Sequence, residues 1–153
     1  KKCWPYDRFL QLAGVLNEAG FRVILTGASE TKGLPAPSYA HLNLTGLTTA
    51  AELAWLLREA RLLVSNDTGA AHLAAAVGCP SVIIFGRTAP ECGPVRWRPL
   101  SEGAVVLSSS ARRRLLEPTK TYWRRCFAAI SVGRVAEAAL GILDGPPMVT
   151  GLP

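Results

Sequence analysis

Eight consecutive residues, Ser65-Asn66-Asp67-Thr68-Gly69-Ala70-Ala71-His72, bring together an amide, a carboxylate, hydroxyls, a glycine and an imidazole. That set suits a ligand bearing both anionic oxygens and hydroxyl groups. The carboxylate accepts from hydroxyls, the threonine and histidine can donate, and a glycine lets an anion approach main-chain N–H groups closely. Upstream, Arg61-Leu62-Leu63-Val64 is a nearly continuous apolar run, the pattern of a strand covered on both faces. Downstream, residues 70–77 are Ala-rich and stop at Gly78, which reads as a short helix able to lie close on a sheet. The polar set therefore falls where a buried strand ends and a helix begins, with free N–H groups and about half a positive charge facing outward. A simpler reading needs only one of these residues, with Asp67 or Thr68 as an N-cap worth about 1 kcal/mol and His72 on the surface. Asn66, Asp67, Thr68 and His72 together exceed what a cap requires.

The elements that must position this set alternate in type. Residues 5–19 place Phe9, Leu12, Ala13 and Leu16 on one helical face, with Gly20 as the stop, and residues 21–27 follow as a strand. Residues 28–40, with Gly33, Pro35 and Pro37, read as a loop. Residues 42–45 are a weaker strand ending at Gly46, and Thr48 or Thr49 caps a helix over residues 50–60. Strands over 61–66, 81–86 and 104–107 and a last helix over 131–143 complete the pattern. Alternation with short joins implies an α/β, Rossmann-like, doubly wound parallel sheet, whose ligands bind beyond the carboxyl ends of its strands. Residues 1–145 form one domain on this reading, and residues 146–153, after a Pro and Gly cluster, form a tail.

With 153 residues, 49% of them hydrophobic and 18% charged, the chain has the composition of one folded domain, neither a disordered tail nor a coiled coil. Its net charge of +6 nominates anionic partners, but the charge is unevenly placed. Arg112, Arg113, Arg114, Lys120, Arg124 and Arg125 stand against Glu117 alone, a net of +5 within residues 111–125. Cys3, Cys79, Cys92 and Cys126 show no CxxC spacing, which reads as reduced thiols in a cytosolic protein and argues against a zinc site or disulfide scaffold. No GxGxxG, GxxxxGK[ST] or GxSxG motif occurs, so dinucleotide oxidoreductases, P-loop NTPases and serine hydrolases are poor matches.

Several segments in one order carry a family resemblance. Lys2-Cys3-Trp4-Pro5, Val23-Ile24-Leu25-Thr26-Gly27, Asn43-Leu44-Thr45-Gly46, Asn66-Asp67-Thr68-Gly69 with His72-Leu73-Ala74-Ala75-Ala76, Gly78 and Pro80, then Phe85-Gly86 with Thr88 and Pro90, resemble glycosyltransferase family 9. Its best-known members are ADP-heptose:lipopolysaccharide heptosyltransferases. Cys126, Ile130-Ser131-Val132 and Val135 resemble the family's closing cysteine and last helix, so the likeness covers about residues 2–143, the family's C-terminal half. It implies a GT-B architecture in which this half binds a nucleotide-sugar donor such as ADP-heptose, without a metal or other cofactor. It also implies that the sheet's first strand and the N-terminal acceptor domain, with its general base, lie outside this chain, which alone would not catalyse transfer. Lys2 would contact the donor diphosphate, Asp67, Thr68 and Gly69 would hold phosphates and sugar hydroxyls, and His72 would lie beside them. Glu30 either matches an acid that binds the ribose or is a solvated loop acid, and Gly46 and Leu47 either line the base pocket or make an ordinary turn. The reaction implied is inverting transfer of a heptose or related sugar to a lipopolysaccharide-type or other glycan acceptor.

The basic stretch interleaves Tyr122 and Trp123 with its arginines, which raises a nucleic-acid-binding module as an alternative. No nucleic-acid motif accompanies it, and that argues against this alternative. Arg112, Arg113, Arg114, Arg124 and Arg125 could instead meet anionic lipid at the inner face of a membrane, or form a solvated connector before the last helix. A catalytically silent GT-B relative is a further alternative.

Overall fold

The computed structural model describes residues 3–28, 37–87, 93–111 and 116–145. Helix α1 (Tyr6–Glu18) buries Leu12, Ala13 and Leu16. It ends where Gly20 adopts φ 88°, so that the Phe21 N–H returns to the Leu16 carbonyl at 3.0 Å. Glycine takes that conformation at little cost, and the chain turns directly toward β1 (Ile24–Leu25). β1 pairs in parallel with β2 (Leu42–Asn43). The regular ladder is shorter than the sequence predicts. Main-chain bonds from His41 to Val23, Leu44 to Leu25 and Gly46 to Gly27, at 2.8, 2.8 and 2.9 Å, nevertheless carry the pairing along the expected length.

After α2 (Ala50–Glu59) come β3 (Leu63–Asn66), α3 (Gly69–Ala76), β4 (Ser81–Phe85), α4 (Pro94–Trp97), β5 (Ala104–Ser108), α5 (Thr119–Ala128) and α6 (Val132–Leu143). β3, β4 and β5 form a parallel ladder in that order, with Val64 opposite Val82 and Val82 opposite Val105. β4 lies in the middle and all five of its residues are buried, which explains its uninterrupted apolar sequence. Its side chains alternate between two cores. Val82 and Ile84 join Trp4, Leu12, Leu16, Phe127, Ile130 and Val135 beneath α1, α5 and α6, whereas Ile83 and Phe85 pack with Ala71 of α3. The five strands form two parallel ladders, β1-β2 and β3-β4-β5. Among the described residues no main-chain ladder joins the two.

Two helices depart from the sequence reading. α4 follows β4 and starts with proline in its first turn. α5 occupies part of the stretch that reads as a connector. Its Tyr122, Trp123, Cys126 and Phe127 recur at helical spacing, and Cys126 and Phe127 are buried, so packing on the core overrides three basic residues and the lack of a side-chain cap. Gly86, just after β4, accommodates this helix: a Cβ there would stand 2.5 Å from the Phe127 ring. Trp4 locks the start of the described chain to the end of α5, its indole N–H donating to the Ile130 carbonyl at 2.8 Å while Arg8 donates to the Ala128 and Ile130 carbonyls at 2.8 and 2.7 Å. Among the described residues no single helix is long and apolar enough to cross a membrane.

Candidate functional site

β3 passes its chain to α3 through Asp67 and Thr68 alone, so the strand's carboxyl end and the helix's amino end meet. Ala71 and Ala74 of α3 are fully buried, the first against Ile83 and Phe85, the second against Leu57 and Cys79. Small side chains on that face let the helix lie close to the sheet, which fixes its first turn at the strand ends.

Thr68 occupies the N-cap position with extended φ −149° and ψ 172°, yet no side chain caps α3. The Thr68 hydroxyl instead lies 3.2 Å from that of Ser65. Gly69 opens the helix, and nothing stands within 4 Å of where its Cβ would be, while the Ala71 N–H of the first turn donates to the Thr68 carbonyl at 3.0 Å. Asp67 and His72 flank this opening and both are exposed. Partial loss of hydration raises the Asp67 carboxyl above its ordinary value, and the neighbouring His72 charge opposes that rise. The simpler reading, in which a side chain of this segment merely caps the helix, is therefore not what the structure contains.

Asn66 adds a connection invisible in the sequence pattern. Its Oδ1 accepts the Trp4 N–H at 2.8 Å across 62 residues, holding the start of the described chain at the end of β3. Lys2 and Glu30 lie outside the described residues, as do Arg112, Arg113 and Arg114. Gly46 takes φ 70° in the turn after β2, and Leu47 beside it is exposed. Beyond β4, Arg87 is a second feature that sequence reading missed. Its guanidinium sits 4.9 Å from the Trp123 ring centre and 5.6 Å from that of Tyr122, a cation held on two aromatic faces of α5. The signal was a lone basic residue directly after a buried strand.

The remaining members of the basic stretch are engaged differently. Arg124 is exposed, while Arg125 makes a forked pair with buried Glu117 at 3.0 and 2.8 Å, a hydrogen-bonded contact that raises the guanidinium's already high pKa. Tyr122 donates to the Ala111 carbonyl at 3.2 Å and Trp123 stacks on Phe127 at 6.0 Å. These aromatic rings thus hold the fold together; they are not displayed for stacking on bases.

A parallel α/β domain whose half-buried strand β3 passes through Asp67 and Thr68 into a closely packed helix has a Rossmann-like fold. The chain belongs to glycosyltransferase family 9 (heptosyltransferase), whose model matches residues 1–122. Lipooligosaccharide heptosyltransferase 2 of Haemophilus ducreyi is 34% identical over 117 residues, covering 69% of this chain and 32% of that protein. Among solved structures, a family 9 glycosyl transferase from Veillonella parvula matches with a TM-score of 0.73 at 22% identity, over 94% of this chain and 43% of that one. The Escherichia coli ADP-heptose lps heptosyltransferase II matches with a TM-score of 0.71 at 25% identity, over 92% of this chain and 41% of that one. This chain spans about a third of the length of the curated relatives it matches.

Proposed function

We propose that this domain is the donor-binding half of an inverting, metal-independent GT-B glycosyltransferase that moves a heptose or related sugar from an ADP-sugar to a lipopolysaccharide-type acceptor. The observation that carries the reading is the open start of α3 at the end of β3, flanked by Asp67, Thr68 and His72, in a chain of this family. Transfer releases a nucleoside diphosphate with about two negative charges, and fixed dipoles aimed at that charge lower the barrier. The α3 start contributes about half a positive charge, and no side chain caps it. Lys2 is proposed to add a full charge, with Asp67 accepting from sugar hydroxyls and His72 facing the phosphates. Glu30 is assigned to the ribose, and Gly46 with Leu47 to the base. The acceptor's general base belongs on this reading to an N-terminal domain, and the enzyme works in the cytoplasm at the inner face of the membrane.

Asp67→Ala in the full-length polypeptide tests this reading. Transfer from an ADP-sugar is expected to fall about 10²- to 10³-fold, as for other losses of a transition-state contact, with the melting temperature nearly unchanged. Undiminished transfer at equal expression would remove Asp67 from the site. The isolated 153 residues are expected to show no transfer, and turnover by them would refute the two-domain reading.

A further inference from the structure

Trp4 is held by its ring and, separately, by its main chain. The ring is buried, meets Phe9 edge-on with ring centres 4.9 Å apart, and donates its indole N–H to the Ile130 carbonyl at 2.8 Å. Arg8 strengthens the same junction from α1, reaching the Ala128 and Ile130 carbonyls just beyond α5. The main-chain N–H of Trp4 donates elsewhere, to Asn66 Oδ1 at 2.8 Å. Asn66 is a firm support for that bond. It is the last residue of β3 and stands opposite Ile84 of the fully buried β4. Val64, two residues before it, packs on the core that contains Trp4, and strand alternation puts Asn66 on that same face.

For stability this bond is minor. A neutral hydrogen bond contributes about 1 kcal/mol, whereas truncating a buried tryptophan costs about 3–5 kcal/mol. Its distinct effect is on direction. A ring anchored alone leaves the main chain free to turn about the Cα–Cβ bond, and a second anchor at the N–H fixes the course of the chain ahead of Trp4. We propose that Asn66 is a positioning residue for Lys2, setting that chain so that the Lys2 ammonium meets the diphosphate at the start of α3. The inference rests on the donor reading above, which gives Lys2 and the α3 start one ligand. Lys2 lies outside the described residues, and two peptide units keep its Cα within about 7 Å of that of Trp4. On the other side of the bond, only Asp67 and Thr68 separate Asn66 from the first residue of α3. One amide thus ties the segment that carries the ammonium to the turn that carries the carboxylate. A fixed separation matters to the chemistry, since misplacing a group by about 1 Å can cost 10²-fold in rate.

Calorimetric titration of ADP into the full-length polypeptide tests this role, using Lys2→Ala, Asn66→Ala and the double variant. Asn66→Leu, which removes the same acceptor with less loss of volume, is a second probe of the bond, and melting temperatures verify that every variant is folded. Lys2→Ala is expected to weaken ADP binding about tenfold or more and either Asn66 variant about fivefold. Asn66→Ala added to Lys2→Ala is expected to weaken it less than about twofold further, because the group it positions is already gone. A residue serving stability alone would lower the melting temperature equally in both backgrounds and leave ADP affinity unchanged in each. Undiminished affinity in Asn66→Ala and Asn66→Leu, or losses that multiply in the double variant, would overturn the positioning role, while a loss in Lys2→Ala would still uphold the donor reading. Unchanged affinity in Lys2→Ala would instead overturn the assignment of Lys2 to the donor, and the role of Asn66 with it.

Discussion

Two helices of this domain have a threonine at the N-cap, and one start is closed by side chains while the other is not. At α2, the Glu52 N–H donates to Thr49 Oγ1 at 3.3 Å, and Glu52 Oε2 accepts from the Thr49 N–H and hydroxyl at 2.7 and 2.8 Å. Two otherwise orphaned donors are satisfied reciprocally. At α3, Thr68 occupies the equivalent position and caps nothing. Ser131 caps α6 in the same way that Thr49 begins the closure of α2, accepting from the Arg134 N–H at 3.2 Å. Among the three helices whose N-cap is a hydroxyl residue, Thr49, Thr68 or Ser131, the exception is thus the one that starts at the carboxyl end of β3, the side of the strands on which a doubly wound sheet takes its ligand. An absent cap forgoes about 1 kcal/mol, and the donors it leaves are those that a diphosphate would fill.

The sharpest way to break this contrast is to obstruct the open end without disturbing the fold. Gly69 has φ outside the left-handed region and open space at its Cβ, so Gly69→Val meets no clash within the domain. ADP affinity of the full-length polypeptide is expected to fall about tenfold or more, the equivalent of a lost charged hydrogen bond, with the melting temperature shifted by only a few degrees. Unchanged affinity measured by calorimetry would show that the nucleotide does not approach the α3 start.

The residues explain why part of this contrast is legible in the amino-acid sequence and part is not. At α2 the spacing Thr49-x-x-Glu52 announces a capping box, and at α3 the third helical residue is Ala71, which cannot complete one. Whether Asp67 or Thr68 caps α3 unaided depends on side-chain rotamers, and pattern does not specify those. β3, β4 and α6 are readable because their apolar runs and periods agree with their burial. α5 is hidden, since Lys120, Arg124 and Arg125 dominate its composition while Cys126 and Phe127 do the packing. The Trp4–Asn66 bond joins residues 62 apart, and Arg87 finds its partners on a helix more than thirty residues later. Such pairings follow from the tertiary arrangement and leave no local trace.

A milder test compares the two threonines directly. Thr49→Ala removes the hydroxyl half of the box, leaving the main-chain N–H of residue 49 on Glu52, and is expected to cost about 1 kcal/mol, a fall of roughly 2–4 °C in melting temperature for a domain of this size. Thr68→Ala deletes no cap bond and is expected to change stability by less than half as much, while weakening ADP binding. Equal losses of stability in thermal melts would mean that the α3 start is capped in solution, and the distinction between the two helices would disappear.

The smallest effect concerns the acids beside these threonines, which respond to pH in opposite senses. The Thr49 N–H, and after it the Thr49 hydroxyl, holds the Glu52 carboxyl below its ordinary value. Partial loss of hydration holds that of Asp67 above, despite the opposing charge of His72. A carboxyl with a lowered folded pKa contributes stability that is present above its unfolded pKa and is lost as the pH falls through the folded one. A raised folded pKa has the reverse sign: the folded state takes the proton first, so ionisation at neutral pH weakens the fold and acidification relieves it. Glu52→Gln should therefore lower the melting temperature at neutral pH, with the deficit closing below about pH 4, where ordinary carboxylates protonate. Asp67→Asn should raise the melting temperature at neutral pH, with the gain closing over the same acid range, even as it impairs transfer. Thermal melts of both variants from neutral to acid pH test the pair. A loss of stability in Asp67→Asn at neutral pH would mean that the Asp67 carboxylate serves the fold as Glu52 does, and the open end of α3 would no longer be distinguished by its charge.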